Sequence, residues 1–537
     1  MLIKKLKYLP LCMLACYASP ALAQDSLLLR DYQFVKQADP WLTIQNASAL
    51  TRYQRQGIAE AALSLKYSNG KLQNYYEAPR VLQAGAEIEA FQRISHRTVV
   101  FGSMSYDNFS GRDMAGSAFI NPTRKPFDIS EDSLSNKGTK HRDTYLLKGG
   151  FGIDIWKGYS VGARVEYTSA NYAKYRDLRH KNKLMDLLAT AGIYAPITTW
   201  LNVGANYTYH RQTESVTFNT YGNNDKVYKS FIDYGAFSGR IEQFGDEGYT
   251  RRNHDTPLFE ESHGGDLQIE IKPLQRLSAF ATIGISSGDG YYGRKSPYDI
   301  TYTHHSRNII RSTAAITYTP LHQLHRLSLD YSLEKMKNYR NTYREVKNDY
   351  GAYHYEYFGD VRMGNKQWMD LTLDYTANLG IQHELPRWVL QLTTTFNERR
   401  QVAYQHPYKR KQKLNTTDIS MQGTRNIIMK KGVLSANVHL GYRKGHGTPF
   451  TDLVDAVPSD KQPQPPTMEA WLYREYQYLT APQYRMGTAV KYAFIMPKTR
   501  IKMHAKISGD YQKATKTYAY STGSHHLSTA IAIGCTF

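Results

Sequence analysis

Residues 434–443 read LSANVHLGYR, and their apolar side chains fall on every second position. The apolar set is Leu434, Ala436, Val438, Leu440 and Tyr442. Because successive side chains of a β-strand point to opposite faces, this stretch predicts a strand with one apolar and one polar wall. The same alternation recurs over residues 201–209, 371–379 and 501–507.

The alternating segments are too long for a soluble β-sandwich. Strands of soluble proteins usually have about 5–6 residues, whereas a membrane-spanning strand needs about 9–11 tilted residues with an apolar face toward lipid. The segments here run for about 10–16 residues, and we count about 18 of them after residue 57. They begin near Ile58, Val81, Val99, Tyr145, Tyr159, Met185, Leu201, Leu267, Leu277, Ile310, Leu327, Met369, Trp388, Leu414, Val433, Tyr484, Ile501 and Leu527.

Lipid forbids an open sheet edge, so the sheet must close on itself. The sequence therefore predicts an all-β fold, a closed antiparallel transmembrane β-barrel over residues 57–537 with about 18 strands. Barrels of 14 or 16 strands remain as alternatives if some segments extend only beyond the membrane.

The connections between segments alternate in length. Short ones follow even-numbered segments and contain Pro196, Pro273, Pro320, Pro386 and Pro497, and proline marks turns because it cannot donate to a ladder. Long ones follow odd-numbered segments, notably 108–141, 213–262, 344–364 and 447–479. This segregation is typical of outer-membrane barrels, so we predict short periplasmic turns and long extracellular loops.

The two ends of the chain carry export features. Residues 1–23 combine three early lysines with a short apolar run and an Ala-Leu-Ala site, which predicts a signal peptide. Residues 24–56 lack the alternation, and we expect either a periplasmic segment or a plug inside the lumen. The final strand ends on Phe537, which resembles the strand signal that the barrel-assembly machinery reads.

Composition and motifs exclude several functions. The net charge is +21, from 68 Lys+Arg and 47 Asp+Glu, but the basic residues are dispersed and the chain carries an export signal, so no nucleic-acid partner is predicted. After removal of the signal peptide Cys535 is the single cysteine left, which excludes an intramolecular disulfide. We find no phosphate-binding loop, dinucleotide fingerprint or H-E-x-x-H motif, so we expect no enzyme and no cofactor.

The predicted inward positions hold two sectors of opposite charge. The acidic sector, on segments 11 and 12, contains Asp330, Glu334, Asp370 and Asp374. The basic sector, on segments 15 to 17, contains Arg443, Arg485, Lys491, Lys502 and Lys506. Opposite charges across a water-filled gap orient polar solutes as they pass. Alternatively, these charges pair locally or with a plug.

Two adjacent histidine pairs lie at the tops of segments. His304 with His305, and His525 with His526, offer imidazoles that could ligate a metal ion. The alternative is that they are ordinary residues of the long-loop side, where most non-strand residues lie.

Three stretches are distinctive: Ala38-Asp39-Pro40-Trp41, the hairpin of residues 63–70 leading to Arg80, and residues 193–211. They resemble a family of Bacteroidota outer-membrane β-barrels of unknown function. The resemblance covers about residues 30–537 and implies an outer-membrane location, beside TonB-dependent uptake systems. It carries no known chemistry, so no functional residue transfers to this chain.

We therefore predict an outer-membrane transport channel, or an accessory of a nutrient-uptake complex, for small polar solutes. The first alternative is a non-catalytic binding or assembly module that partners a surface lipoprotein or a TonB-dependent receptor. An outer-membrane hydrolase is the second alternative. The expected surroundings are the lipid and lipopolysaccharide of the bacterial outer membrane and the barrel-assembly machinery.

Overall fold

The structure is a computed structural model that describes residues 30–131, 133, 136–221, 225–499 and 501–537. The predicted signal peptide lies outside these residues. In chain order the strands are β1 (Gly57–Gly70), β2 (Arg80–Arg93), β3 (Thr98–Met114), β4 (Asp128–Glu131), β5 (Gly138–Trp156), β6 (Tyr159–Lys174), β7 (Arg179–Pro196), β8 (Leu201–Asn219), β9 (Lys229–Gly235), β10 (Ser238–Gln243), β11 (Thr256–Leu274), β12 (Leu277–Ser296), β13 (Asp299–Tyr318), β14 (Gln323–Lys347), β15 (Tyr353–Leu379), β16 (Trp388–Gln405), β17 (Tyr408–Met429), β18 (Gly432–Val454), β19 (Gln483–Ile495), β20 (Lys502–Ala514) and β21 (His525–Thr536). The helices are α1 (Tyr32–Ala38), α2 (Glu469–Thr480) and the 3-10 helices Pro40–Leu42, Ala47–Arg52 and Pro122–Arg124.

Eighteen of the strands in the described residues form one closed antiparallel sheet, in which each strand pairs with its neighbours along the chain. The first and last strands close it, with Leu63 opposite Ile533. Phe537 extends this seam, because its N–H donates to the Ala59 carbonyl at 3.0 Å and its carbonyl accepts from the Ala59 N–H at 2.9 Å. The predicted all-β closed barrel is confirmed, and each predicted segment begins in or directly beside a different barrel strand.

An apolar band surrounds the barrel on the half nearer the short turns. Leu63, Leu440 and Ile531 point outward and are each more than half exposed. Their neighbours along each strand point inward and are mostly polar, as the period of two requires. An outward apolar wall of this kind is the surface that an outer-membrane barrel presents to lipid. None of the described helices is both long enough and apolar enough to cross a membrane.

The barrel continues well beyond the apolar band on the long-loop side. β14 and β15 stay paired up to Lys347 opposite Tyr353, so their connection is residues 348–352. The predicted long loop 344–364 is therefore wrong. Above the membrane both walls of a strand face polar surroundings, so the apolar alternation that marks a span ends although the hydrogen-bonded ladder continues.

Two units fill the interior of this barrel. The plug comprises residues 30–56 and lies near the short turns. The cap comprises residues 115–131, 229–255 and 469–480, and it lies toward the long-loop end. Strands β4, β9 and β10 of the cap form a separate three-stranded sheet. Its aromatic core of Phe127, Tyr234 and Tyr249 packs against Tyr292 of β12.

Candidate functional site

Local side-chain hydrogen bonds fix the backbone of the plug. The carboxylate of Asp31 accepts from the Phe34 N–H at 2.9 Å at the start of α1. Asp39 likewise accepts from the Trp41 N–H at 3.0 Å. Such caps satisfy N–H groups that a short helix leaves free. They allow three helices of one or two turns to follow one another between Tyr32 and Arg52.

Trp41 anchors the plug to one side of the barrel wall. Its side chain is 1% exposed, and its Nε1–H donates to the Glu270 carboxylate at 3.0 Å. Its ring makes edge-to-face contacts with Tyr194 at 5.0 Å and Phe280 at 5.2 Å. Buried aromatic rings with a satisfied N–H bind strongly and directionally, so this contact fixes the position of the plug.

Polar contacts hold the plug to the remaining wall. Arg30 pairs with Glu384 at 3.1 Å, and Lys36 pairs with Glu89 at 2.6 Å. Arg93 donates to the Thr51 carbonyl at 2.7 Å, and the Arg30 carbonyl accepts from Lys502 at 2.6 Å. These partners lie on strands or turns spread around the barrel, so the structure places residues 30–56 across the lumen.

The cap reaches down into the lumen through Arg124. Its guanidinium binds the Glu334 carboxylate at 3.0 Å and also pairs with Asp370. Lys125 beside it pairs with Glu214 at 3.0 Å. The loop that carries both cations is therefore held on two well-separated parts of the wall.

Helix α2 closes the other side of the cap. Trp471 and Leu472 are buried against the ring of Tyr75 and its neighbours. The Glu475 carboxylate binds the Arg399 guanidinium of β16 at two points, 2.9 and 2.5 Å. Glu475 is buried and Arg399 is largely so, and this bidentate ion pair fixes α2 to the wall.

Two buried carboxylates face each other in the cap sheet. Asp128 of β4 lies opposite Asp233 of β9 in the strand register. The Asp128 carboxylate accepts from the Tyr75 hydroxyl at 3.1 Å and from Ser117. Burial raises the pKa of Asp128 to about 7 and also raises the pKa of Asp233. Desolvation is the main cause, because it disfavours the ionised form.

This carboxylate pair makes cap stability depend on pH. The pKa of Asp128 is higher in the closed cap than in an exposed carboxyl, so the closed cap binds more protons than the opened one. The free energy of cap opening should therefore fall between about pH 4 and pH 7, by up to about 1.4 kcal/mol per pH unit for this group. Above pH 7 its dependence on pH should level off.

We expect Asp128→Asn to remove most of this pH dependence. Hydrogen exchange of residues 128–131 and 229–235 at pH 5 and pH 7.5, corrected for intrinsic exchange rates, measures it. Asp233, whose pKa burial also raises, stays in place and keeps its own contribution to the slope. An unchanged slope in the variant would show that Asp128 does not couple the cap to pH.

The predicted acidic sector faces the lumen in two groups. Glu334 and Asp370 meet through Arg124 of the cap. Lower on the same wall, Asp330 accepts from Thr313 at 2.6 Å, and Asp374 accepts from Thr393 at 2.6 Å. The upper pair is thus bound to the cap, and the lower pair is bound to neutral wall residues.

The predicted basic sector is likewise distributed between the cap, the plug and the wall. Arg485 pairs with Asp418 of β17, and the guanidinium of Arg443 lies 5.4 Å from the ring centre of Tyr478 in α2. Lys502 donates to the plug, as described above. Lys491 and Lys506 lie opposite each other on β19 and β20. The role of both sectors in guiding a solute stays a prediction.

The central chamber is the part of the lumen between plug and cap. Asp330 lies on β14 between Arg326, which donates to the Gln37 carbonyl of the plug at 2.9 Å, and Glu334, which binds the cap. Asp330 and Lys506 both face this space and are exposed to solvent. The sequence did not identify Arg124, Asp418 or Glu475 as partners of the lumen charges. Arg124 and Glu475 lie outside the alternating segments, where no period shows which side chains enter the lumen.

Neither histidine pair forms a chelating site. His304 stacks on the ring of Tyr339 at 5.1 Å, whereas His305 is buried and contacts Glu260 at 3.3 Å. Neighbouring residues of a strand face opposite walls, so the two rings of each pair cannot share one ion, and this holds also for His525 and His526 on β21. Within the described ranges, no group of three or more metal-ligating side chains is found.

Comparison with known proteins identifies one matching family and several solved structures of low sequence identity. A family described as "Family of unknown function (DUF6850)" matches residues 47–537. No curated protein matches the chain.

Solved structures with a similar barrel include three receptors or transporters. The ferric preacinetobactin receptor BauA of Acinetobacter baumannii has 8% identity and a TM-score of 0.36, covering 89% of this chain and 80% of that chain. The outer membrane transporter YddB of Escherichia coli has 6% identity and a TM-score of 0.40, covering 90% and 81%. The ferric enterobactin receptor PfeA of Pseudomonas aeruginosa has 8% identity and a TM-score of 0.39, covering 89% and 81%.

Proposed function

We propose, from the premise that the chain belongs to the DUF6850 family of unknown function, that this barrel transports small polar solutes across the outer membrane. The plug and the cap act as two barriers in series, and each must move before a solute passes. The protein then works as a gated channel, by itself or as an accessory of a nutrient-uptake complex.

One observation carries this proposal: a charged, solvent-exposed chamber lies between two separately held closures. A barrel used only as a membrane anchor needs no exposed Asp330 and Lys506 inside it. Ion pairs and hydrogen bonds form many of the contacts of plug and cap with the wall. Water can replace a partly exposed pair such as Lys36–Glu89 at modest free-energy cost, whereas a continuous apolar seal would be lost outright on opening.

A reversible disulfide between plug and wall tests the proposal. The hydroxyl oxygens of Thr51 and Ser160 lie 2.8 Å apart, so cysteines at both positions are close enough to be bridged. We expect the Thr51→Cys, Ser160→Cys protein in a Cys535→Ser background to conduct ions in planar bilayers when reduced. Oxidation should lower that conductance at least about tenfold, because the plug can no longer leave the lumen.

The two single-cysteine proteins are the matched controls and should not respond to oxidant. A conductance that stays the same after quantitative disulfide formation would reject plug movement as the gate. A barrel that is silent when reduced, and also when residues 30–52 are deleted in a Glu475→Ala background, would reject transport.

A second candidate function, binding of a surface partner, is favoured by the mouth of the barrel. A cavity of about 290 Å³ lies between the cap and the tall β14–β15 hairpin. It is lined by Arg240, Tyr249, Tyr302, Arg340, Asn341, Thr342, Tyr343 and Phe358. Phe358 is 68% exposed at its rim, and Tyr350 at the hairpin tip is 97% exposed. Exposed aromatic rings of this kind commonly anchor a partner protein or a ligand.

If the protein is an assembly module, Phe358→Glu should abolish co-purification of a surface lipoprotein or a TonB-dependent receptor. Conductance should not change, because Phe358 forms none of the ion pairs or hydrogen bonds that hold the plug and the cap to the wall. Tyr298→Glu is a control, since Tyr298 is equally exposed at 67% but does not line the cavity. A partner that both variants retain would exclude this surface.

A further inference from the structure

The outer wall of the barrel carries a concentration of cations on one side. The basic belt comprises Lys335, Lys337, Arg400, Lys411, Lys413 and Lys444, on strands β14, β16, β17 and β18. All six side chains are exposed. They occupy the same alternating positions as the outward apolar residues of their strands, so they face away from the lumen.

The belt begins where the apolar band ends. On β14 the outward residue after Leu333 is Lys335, and on β18 the outward residue after Tyr442 is Lys444. On β16 one outward position, Glu398, separates Phe396 from Arg400. Cations at this height meet the headgroups of the leaflet on the long-loop side, which is the outer leaflet when the short turns are periplasmic.

The basic belt contains more cations than carboxylates that could pair with them. Arg400 lies directly opposite Lys413 in the strand register. Glu398 pairs with both, at 2.6 and 3.1 Å. In the part of the chain that the structure describes, no carboxylate is within ion-pairing distance of Lys335, Lys337, Lys411 or Lys444. The belt therefore keeps an excess of positive charge, which attracts anions.

The other side of the barrel does not show this concentration. At the upper edge of its apolar band, Arg211 lies opposite Glu261, and Glu261 lies opposite Asp289. Arg80 pairs with Asp113 at 2.5 Å on β2 and β3. The charge there is mixed, and exposed outward cations such as Lys181, Lys183 and Lys513 are spread over β7 and β20. The run of six cations on β14, β16, β17 and β18 is therefore a feature of one sector and not of the whole circumference.

We propose that the basic belt binds the phosphate groups of a phosphorylated glycolipid of the outer leaflet. The acyl chains of the lipid lie on the apolar band directly below, where Leu329, Leu333 and Leu373 point outward. Phosphate oxygens between Arg400, Lys411 and Lys413 offset the mutual repulsion of these cations by charge-assisted hydrogen bonds. The belt gives the barrel one preferred lipid-bound side. This inference depends on the outer-membrane location but not on transport.

A charge-removal variant tests the lipid site. In it, Lys335→Gln, Arg400→Gln, Lys411→Gln and Lys413→Gln are combined; all four side chains are exposed, and circular dichroism checks the fold. The probe is lipid A carrying both phosphates, added to the purified barrel in detergent micelles, with bound lipid counted by native mass spectrometry. We expect the variant to bind lipid A at least about tenfold more weakly than the unchanged chain.

The matched control removes four exposed outward cations elsewhere: Lys181→Gln, Lys183→Gln, Arg211→Gln and Lys513→Gln. It changes the net charge equally and should keep lipid A binding. Lipid A without phosphates should bind equally weakly to all three proteins, and millimolar inorganic phosphate should not displace the lipid. Equal losses in both variants, or undiminished binding of the dephosphorylated lipid, would overturn the proposal. Conductance is not part of this readout, so a failure here is separate from a failure of transport.

Discussion

Deleting residues 30–52 in a Glu475→Ala background raises the single-channel conductance at least about tenfold above either change alone. Plug and cap lie one above the other in the lumen, so their resistances to ion flow add. Removing the plug leaves the cap across the mouth, with Arg124 still bound to Glu334 and Asp370. Loosening α2 leaves the plug held by Trp41 and its ion pairs. A large current therefore requires both changes.

Planar-bilayer recordings of the four proteins, namely the unchanged chain, each single change and the combination, measure this effect. Glu356→Ala is the control for the point substitution, because Glu356 forms an exposed ion pair on the tall hairpin. It should leave the conductance unchanged with or without the plug. Equal conductances in the plug-deleted protein and the combination would show that the cap is not a barrier.

Glu475→Ala alone loosens α2 from the barrel wall by about 3–5 kcal/mol. The Arg399 and Glu475 side chains are 13% and 4% exposed, so removal of the carboxylate leaves a buried guanidinium with its main partner lost. The remaining interaction of Arg399, with Gln412 at 2.9 Å, is to a neutral group. Hydrogen exchange of residues 469–480 should therefore become faster, while the strand amides of the apolar band keep their protection.

A double substitution separates the lost ion pair from lost packing. Arg399→Met with Glu475→Met replaces both charges by apolar groups, and such replacements are commonly neutral or stabilising. We expect slow exchange of α2 to return in this protein. If Glu475→Ala and the double Met protein exchange equally fast, the ion pair is not what holds the cap.

The sequence was informative wherever lipid imposes a period of two. Outward positions such as Leu440 must be apolar and inward positions such as His439 can be polar, and this contrast is visible along each strand. It identified the spans and the inward direction of residues such as Asp374. The contrast disappears above the membrane, and the extension of β14 and β15 was therefore missed.

The partners of the lumen charges could be identified only in the folded structure. Arg124 lies about two hundred residues from Glu334 along the chain, and their contact depends on how the cap folds into the barrel mouth. The split of each histidine pair between two walls does follow from the strand period. The structure adds that His305 is buried against Glu260, where it is not available to a metal ion shared with His304.

By itself the sequence determined the class of fold and the side of each strand that faces lipid. For the number of strands it favoured 18 and left 14 or 16 open. These properties follow from a local rule, because every residue in a span faces either hydrocarbon or the lumen. Only the tertiary structure decided that residues 30–56 and the long connections occupy the lumen, and which charges they bind. Those contacts join segments far apart in the chain, and no local period encodes which loop reaches which wall.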